Sequence, residues 1–94
     1  MGIMSWDQGG GFSTAPLVRT PRLTIRCEYP DGSSPPSQVT FRLAASYGIH
    51  SAREAHDWFL LMIRSHDEFE VETDRAGEPP LSFWSETVRG VMVE

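Results

Sequence analysis

Between Ser51 and His66 apolar residues recur at the helical period, and this stretch constrains the fold more than any other part of the chain. At about 100° per residue, Ala52, Ala55, Trp58, Phe59, Met62 and Ile63 gather on one side, with His66 in the same sector. Arg53, Asp57 and Arg64 gather opposite, while Leu60 and Leu61 fall outside the apolar stripe, one on each flank. Ser51-Ala52-Arg53-Glu54 reads as a capping box. The serine oxygen is placed to accept from the Glu54 backbone N–H, and the Glu54 carboxylate to reach back toward the cap. A helix with one apolar face must bury that face, so the rest of the chain has to supply its partner.

That partner is a sheet. Arg22 to Tyr29 alternates with a period of two, placing Leu23, Ile25, Cys27 and Tyr29 on one face and Arg22, Thr24, Arg26 and Glu28 on the other. Pro30-Asp31-Gly32 supplies turn chemistry, and Val39, Phe41 and Leu43 then alternate with Thr40 and Arg42. These two strands are expected to form a hairpin with a long tip. Beyond the helix, Phe69, Val71 and Thr73 alternate with Glu68, Glu70, Glu72 and Asp74, giving a third strand with an acidic outer face. Leu81 to Ser85 reads as a short fourth strand and Val88 to Val93 as a fifth, in which Gly90 marks a bulge or the strand is covered on both faces. The expectation is an α+β fold: an antiparallel sheet of about five strands, in the order β-β-α-β-β-β, with one amphipathic helix packed on one face.

Residues 1–21 read as a flexible arm preceding a single domain over residues 22–94. Gly9-Gly10-Gly11 is costly to order, and Pro16 and Pro21 bracket a short extended piece. Trp6 and Phe12 are unusual in a free tail and point to docking on the domain or on a partner. Met1 to Trp6 nearly matches a myristoylation signal, but Trp6 stands where serine or threonine is required. No basic start precedes an apolar stretch, and the longest apolar run, Trp58 to Ile63, falls far short of the ~20 residues of a membrane span. A soluble, cytoplasmic protein is expected.

Charge divides unevenly along the 94 residues. Residues 1–50 carry four arginines against Asp7, Glu28 and Asp31, whereas residues 51–94 carry four arginines against ten acids. The net charge of −5 argues against general coating of nucleic acid, which relies on basic charge to release counterions. Cys27 is the lone cysteine, so no internal disulfide forms, and its strand phase reads as a buried thiol.

The residue patterns for catalysis and metal binding are missing. His56 and His66 are ten residues apart, or ~15 Å along a helix, too far to share an ion. The His56-Asp57 and His66-Asp67 dipeptides have no further ligands on other helices. Gly9-Gly10-Gly11 lacks the lysine and the strand-to-helix setting of a phosphate loop, and no nucleophile elbow is present. The strand carboxylates point to solvent, whereas acid–base work would need one of them buried. No cofactor, metal or enzymatic activity is expected.

Two interaction readings remain. The first is a non-enzymatic accessory protein acting by protein–protein contact, with self-association as a homodimer among its forms. Its candidate surface comprises Leu60 and Leu61, which lie off the core stripe, and Trp84, which points opposite to Leu81 and Phe83. The acidic Glu70, Glu72 and Asp74 add attraction for a basic partner. Small size and acidity suit a phage or mobile-element accessory factor or an immunity-type inhibitor. The second reading is a nucleic-acid module using Arg22, Arg26 and Arg42 on the outer face of the first hairpin, although no aromatic residue shares that face for stacking. If the third strand lay beside the first, its glutamates would instead pair with Arg22 and Arg26 across the strands.

Overall fold

The computed structural model describes residues 19–94. Strand β1 spans Arg22–Cys27 and β2 Ser37–Arg42; helix α1 covers Ala52–Ser65; β3 spans Glu68–Val71, β4 Leu81–Trp84 and β5 Val88–Val93. One-turn 3₁₀ helices at Ala45–Tyr47 and Ser85–Thr87 lead into α1 and β5 respectively. This is the α+β architecture expected, with one helix packed against a small antiparallel sheet. No described helix is long and apolar enough to cross a membrane. The glycine-containing arm lies outside the described residues up to residue 18. Its last two positions, Thr20 and Pro21, are buried.

The sheet is divided. Three strands pair in the order β2-β1-β5 and two in the order β3-β4. A single antiparallel bridge, Leu43 to Thr73, joins the two parts, flanked by backbone bonds from Ala44 to Glu72 and from Asp74 to Arg42. The partner of β1 on its second side is therefore β5, not β3. Glu68, Glu70 and Glu72 consequently do not lie opposite Arg22 and Arg26. Leu81 to Trp84 directly follows the turn after β3 and pairs with it first, leaving β5 to close against β1.

The fifth strand shows why its apolar residues are out of phase. Arg26 lies opposite Gly90 and Cys27 opposite Val88, so Arg89 is the extra residue of a bulge. The bulge lets Val88, Val91 and Val93 all pack against the core, while Met92 stays 65% exposed.

The core joins both sheet parts to the helix. Leu23 and Ile25 of β1, Phe41 of β2, Leu43, Phe69 and Val71 of β3, and Phe83 of β4 meet Ala55 and Phe59 of α1. Phe59 is its hub, with its ring 5.3 Å from those of both Phe69 and Phe83 in edge-to-face arrangements. Phe83 in turn reaches Phe41 at 5.9 Å, so one aromatic chain crosses from helix to both sheet parts.

Helix α1 begins and ends where its sequence places it, with Ser51 as N-cap and His66 as C-cap. The Ser51 hydroxyl accepts from the Glu54 N–H at 3.1 Å. The Glu54 carboxylate accepts from the His50 N–H at 3.2 Å, one residue earlier than a reciprocal box would use. The apolar face is narrower than its periodicity: Ala55 and Phe59 are fully buried, and Trp58, Met62 and Ile63 are half-buried. Ala52, the first helical residue, is exposed. Tyr29 also departs from its expected inward phase, standing 46% exposed because β1 ends at Cys27 and the chain then turns.

Candidate functional site

The direction of each backbone amide in the sheet follows from the pairing. Arg22 and Glu94 exchange both N–H···O bonds, so the even-numbered residues of β1 face β5 and its odd-numbered residues face β2. In β2 the residues that bond to β1 are therefore Val39 and Phe41, opposite Ile25 and Leu23. Gln38, Thr40 and Arg42 direct their backbone groups the other way. The bonds at the Leu43–Thr73 bridge agree, since the Arg42 carbonyl accepts from Asp74 on that side. In β4 the Ser85 N–H donates to the Asp67 carbonyl, which sets Phe83 and Leu81 facing β3 and turns Ser82 and Trp84 away.

Strands β2 and β4 are each at the end of their sheet part, and residues of both line the same groove. Its wider end is a cleft of about 650 Å³ walled by Arg42, Phe41 and Val39 of β2, by Leu81, and by Asp74 and Arg75 of the turn after β3. The narrower end, about 260 Å³, lies among Ser37, Val39, Cys27, Tyr29, Phe83 and Trp84. Val39 and Leu81 line both ends and make the groove continuous. Among the described residues that line the groove, Thr40, Ser82 and Trp84 turn their backbone N–H groups away from the strand they pair with. The Trp84 carbonyl accepts from the Thr87 hydroxyl at 2.7 Å. Each of these edge strands follows a proline pair, Pro35-Pro36 before β2 and Pro79-Pro80 before β4. Proline supplies no donor for further pairing, so each free edge is bounded at its start.

Trp84 is 50% exposed and stands at the narrow end beside Tyr29. It also faces outward from the β3–β4 hairpin, directly opposite Glu68 and on the side that carries Glu70. Glu70, Glu72 and Asp74 are all exposed. Two of them also have structural roles: the Glu72 N–H donates to the Tyr47 hydroxyl at 2.9 Å, and the Asp74 carboxylate lies 4.0 Å from Arg19. Leu61 projects from the helix at 56% exposure, whereas Leu60 is half-buried on the opposite flank. These two leucines therefore do not form one patch.

The arginine face is largely engaged within the chain. Arg22 lies directly opposite Arg42, and its guanidinium pairs with the Glu94 carboxylate. The Arg42 guanidinium donates to the Thr20 carbonyl at 2.6 Å. Arg26, between Gln38 and Gly90, has no ion pair among the described residues. Thr24 and Thr40 share a cross-strand hydrogen bond at 3.0 Å, and Met92 is the large apolar group beside them.

The histidines do not converge. His50 and His66 are exposed, and His56 Nδ1 lies 3.6 Å from the Asp57 carboxylate on the surface of the helix. Among the described residues no three histidine, cysteine, aspartate or glutamate side chains are grouped to hold a metal ion. Every described carboxylate is exposed. The Asp31 carboxyl in the β1–β2 loop is held below its ordinary value by the Ser33 backbone N–H at 2.9 Å and then by the Ser33 hydroxyl.

Tyr29 and the groove-side amides of β2 and β4 escape a reading based on periodicity. Side-chain alternation assigns faces, but it does not say which strand lies at an edge. The two proline pairs carry that signal. No protein-family model, curated protein or solved structure matches the chain.

Proposed function

We propose that this chain is a non-enzymatic, cytoplasmic binding module that acts by protein–protein contact, and that the groove between β2 and β4 is its contact surface. The observation that carries this is a groove lined by residues of two end strands, β2 and β4, with Tyr29 and Trp84 exposed at its narrow end. An extended peptide adds to such an edge through main-chain hydrogen bonds, and side-chain pockets then select its sequence. Half-exposed tyrosine and tryptophan beside the edge supply apolar contact area at low entropic cost. The exposure of every described carboxylate supports the non-enzymatic side of the proposal. Accessory factors of phages or mobile elements and immunity-type inhibitors belong to this class.

Selection of a random displayed peptide library on the intact chain tests the proposal. The expected result is enrichment of extended sequences whose affinity falls about tenfold or more on Trp84→Ala or Tyr29→Ala, the loss of roughly 1.4 kcal/mol from a contact residue. Both positions are exposed, so the fold should survive either change. Failure to enrich any peptide, or binders indifferent to both substitutions, would contradict the proposal.

The second reading, nucleic-acid binding through Arg22, Arg26 and Arg42, draws on Arg26 alone as the arginine of the three with neither an ion pair nor a side-chain hydrogen bond among the described residues. Mobility shifts at two salt concentrations separate the two. Salt-sensitive binding abolished by Arg26→Glu would favour the nucleic-acid reading.

A further inference from the structure

Half of the chain's eight basic residues line one cleft. Arg19, Arg22, Arg42 and Arg75 stand around the wide end of the groove, and the acids in its walls are Asp74 and Glu78. This end is net positive in a chain whose overall net charge is −5. A cleft of one sign concentrates its field between low-dielectric walls, so it draws an anion that the chain as a whole would repel. Two of the four arginines are compensated only loosely. Arg19 lies 4.0 Å from Asp74 and Arg75 lies 3.4 Å from Glu78, in pairs whose side chains are all exposed. Exposed pairs of this kind hold weakly, and a ligand can replace either partner.

Arg42 is compensated least. It is half-buried, and it donates to the Thr20 carbonyl at 2.6 Å, a bond that fixes the guanidinium but cancels none of its charge. Among the described residues it has no acidic partner. Arg22 stands directly opposite on β1, and like charges in that position are unfavourable until an anion joins them. The Glu94 that pairs with Arg22 comes from the β5 side of β1, away from Arg42. We infer that the groove selects extended peptides bearing an aspartate or glutamate side chain, which Arg42 receives at the wide end; this rests on the groove being a peptide-binding surface. A guanidinium offers five N–H donors in a planar fork, and the bond to Thr20 leaves enough of them for two-point contact with a carboxylate. Because Thr20 already holds the group in place, capture costs less side-chain entropy. Neighbouring residues of the peptide meet Val39 and Leu81, the half-buried apolar side chains that line both ends of the groove. Positive charge confined to one end, with Asp74 and Glu78 beside it, suits one carboxylate rather than a run of phosphates.

Fluorescence anisotropy with labelled peptides selected on the intact chain tests this. The selected peptides are expected to share an acidic residue at one position, and its replacement by asparagine or glutamine to weaken binding about tenfold. Arg42→Gln is expected to weaken the acidic peptide by a similar factor while leaving its amide counterpart nearly unchanged, which ties the carboxylate to this guanidinium. Arg53→Gln removes the same charge from the exposed surface of α1 and is expected to alter neither affinity. Arg42 also holds Thr20, so the Leu23 and Ile25 amide resonances report whether its variant keeps the fold. Arg75→Gln, on the exposed turn, gives a second variant with an expected severalfold loss confined to the acidic peptide. Selected peptides with no shared acid, or equal losses for the acidic and amide forms, would overturn the inference and keep the groove. Absence of any binding peptide rejects the groove and the inference with it. Displacement of the acidic peptide by a short oligonucleotide that binds more tightly, and through Arg42, would overturn the inference in favour of nucleic acid.

Discussion

Phe59 is the side chain on which the core depends most. It is fully buried and stands between Phe69 and Phe83, so it ties α1 to the β3–β4 hairpin. Phe59→Ala removes that link and leaves a cavity, a change that costs about 3–5 kcal/mol. A chain of 94 residues has little stability in reserve, and most of the variant is expected to be unfolded in a urea titration. A loss below 1 kcal/mol would show that the aromatic chain is not the centre of the fold. Leu61→Ser, by contrast, is expected to leave stability within about 0.5 kcal/mol of the native value, as at other exposed positions. Asp31 gives a pH test. Its folded pKa is depressed by the Ser33 N–H and hydroxyl, so its contribution to stability is present above its unfolded value of 3.8. That contribution is lost as pH falls through the lower folded value. Asp31→Asn is expected to remove this part of the acid dependence while leaving the profile above pH 5 parallel to native. An acid limb unchanged by the substitution would mean that the Asp31–Ser33 contact does not hold in solution.

At the scale of single elements, the helix was readable because its signals are local. The serine cap, the glutamate three residues later and the apolar period all lie within one stretch, and α1 obeys them. Ser51→Ala is expected to cost about 1 kcal/mol, measured by thermal or urea unfolding. Ala52 shares the apolar sector yet is exposed, because periodicity reports direction around the helix and not depth of burial. Strand positions were readable for the same local reason, and the β5 bulge beside Gly90 accounts for its broken alternation. Strand neighbours were not readable, because pairing depends on residues far apart in the chain: β1 contacts β5 across more than sixty residues. The amide directions in β2 have their own check. Val39 bonds to β1 and Thr40 points its N–H into the groove, so Val39→Pro is expected to destabilise by at least ~1 kcal/mol more than Thr40→Pro. Equal losses would mean that the free edge has been assigned to the wrong residues.

For the whole molecule, the division of the sheet is what creates a surface. A continuous five-stranded sheet would pair β2 along its length, but the single bridge at Leu43 and Thr73 leaves the outer edge of β2 open beside the groove. Trp84 was visible in the sequence as a residue out of phase with Leu81 and Phe83, and it does stand at this groove. Tyr29 was hidden by an alternation that continues two residues beyond the end of β1. The leucines of the helix, singled out together by the same logic, lie on separate flanks, and the acidic residues of β3 share the outward side of Trp84. The groove as contact surface is tested most directly by the backbone amides that line it. With a groove-selected peptide bound at saturation, the amides of Thr40, Ser82 and Trp84 are predicted to gain at least tenfold protection from hydrogen exchange, while those of α1 around Leu61 stay unchanged. Protection confined to α1 or to the Arg26 face, with Ser82 and Trp84 exchanging as before, would contradict the account.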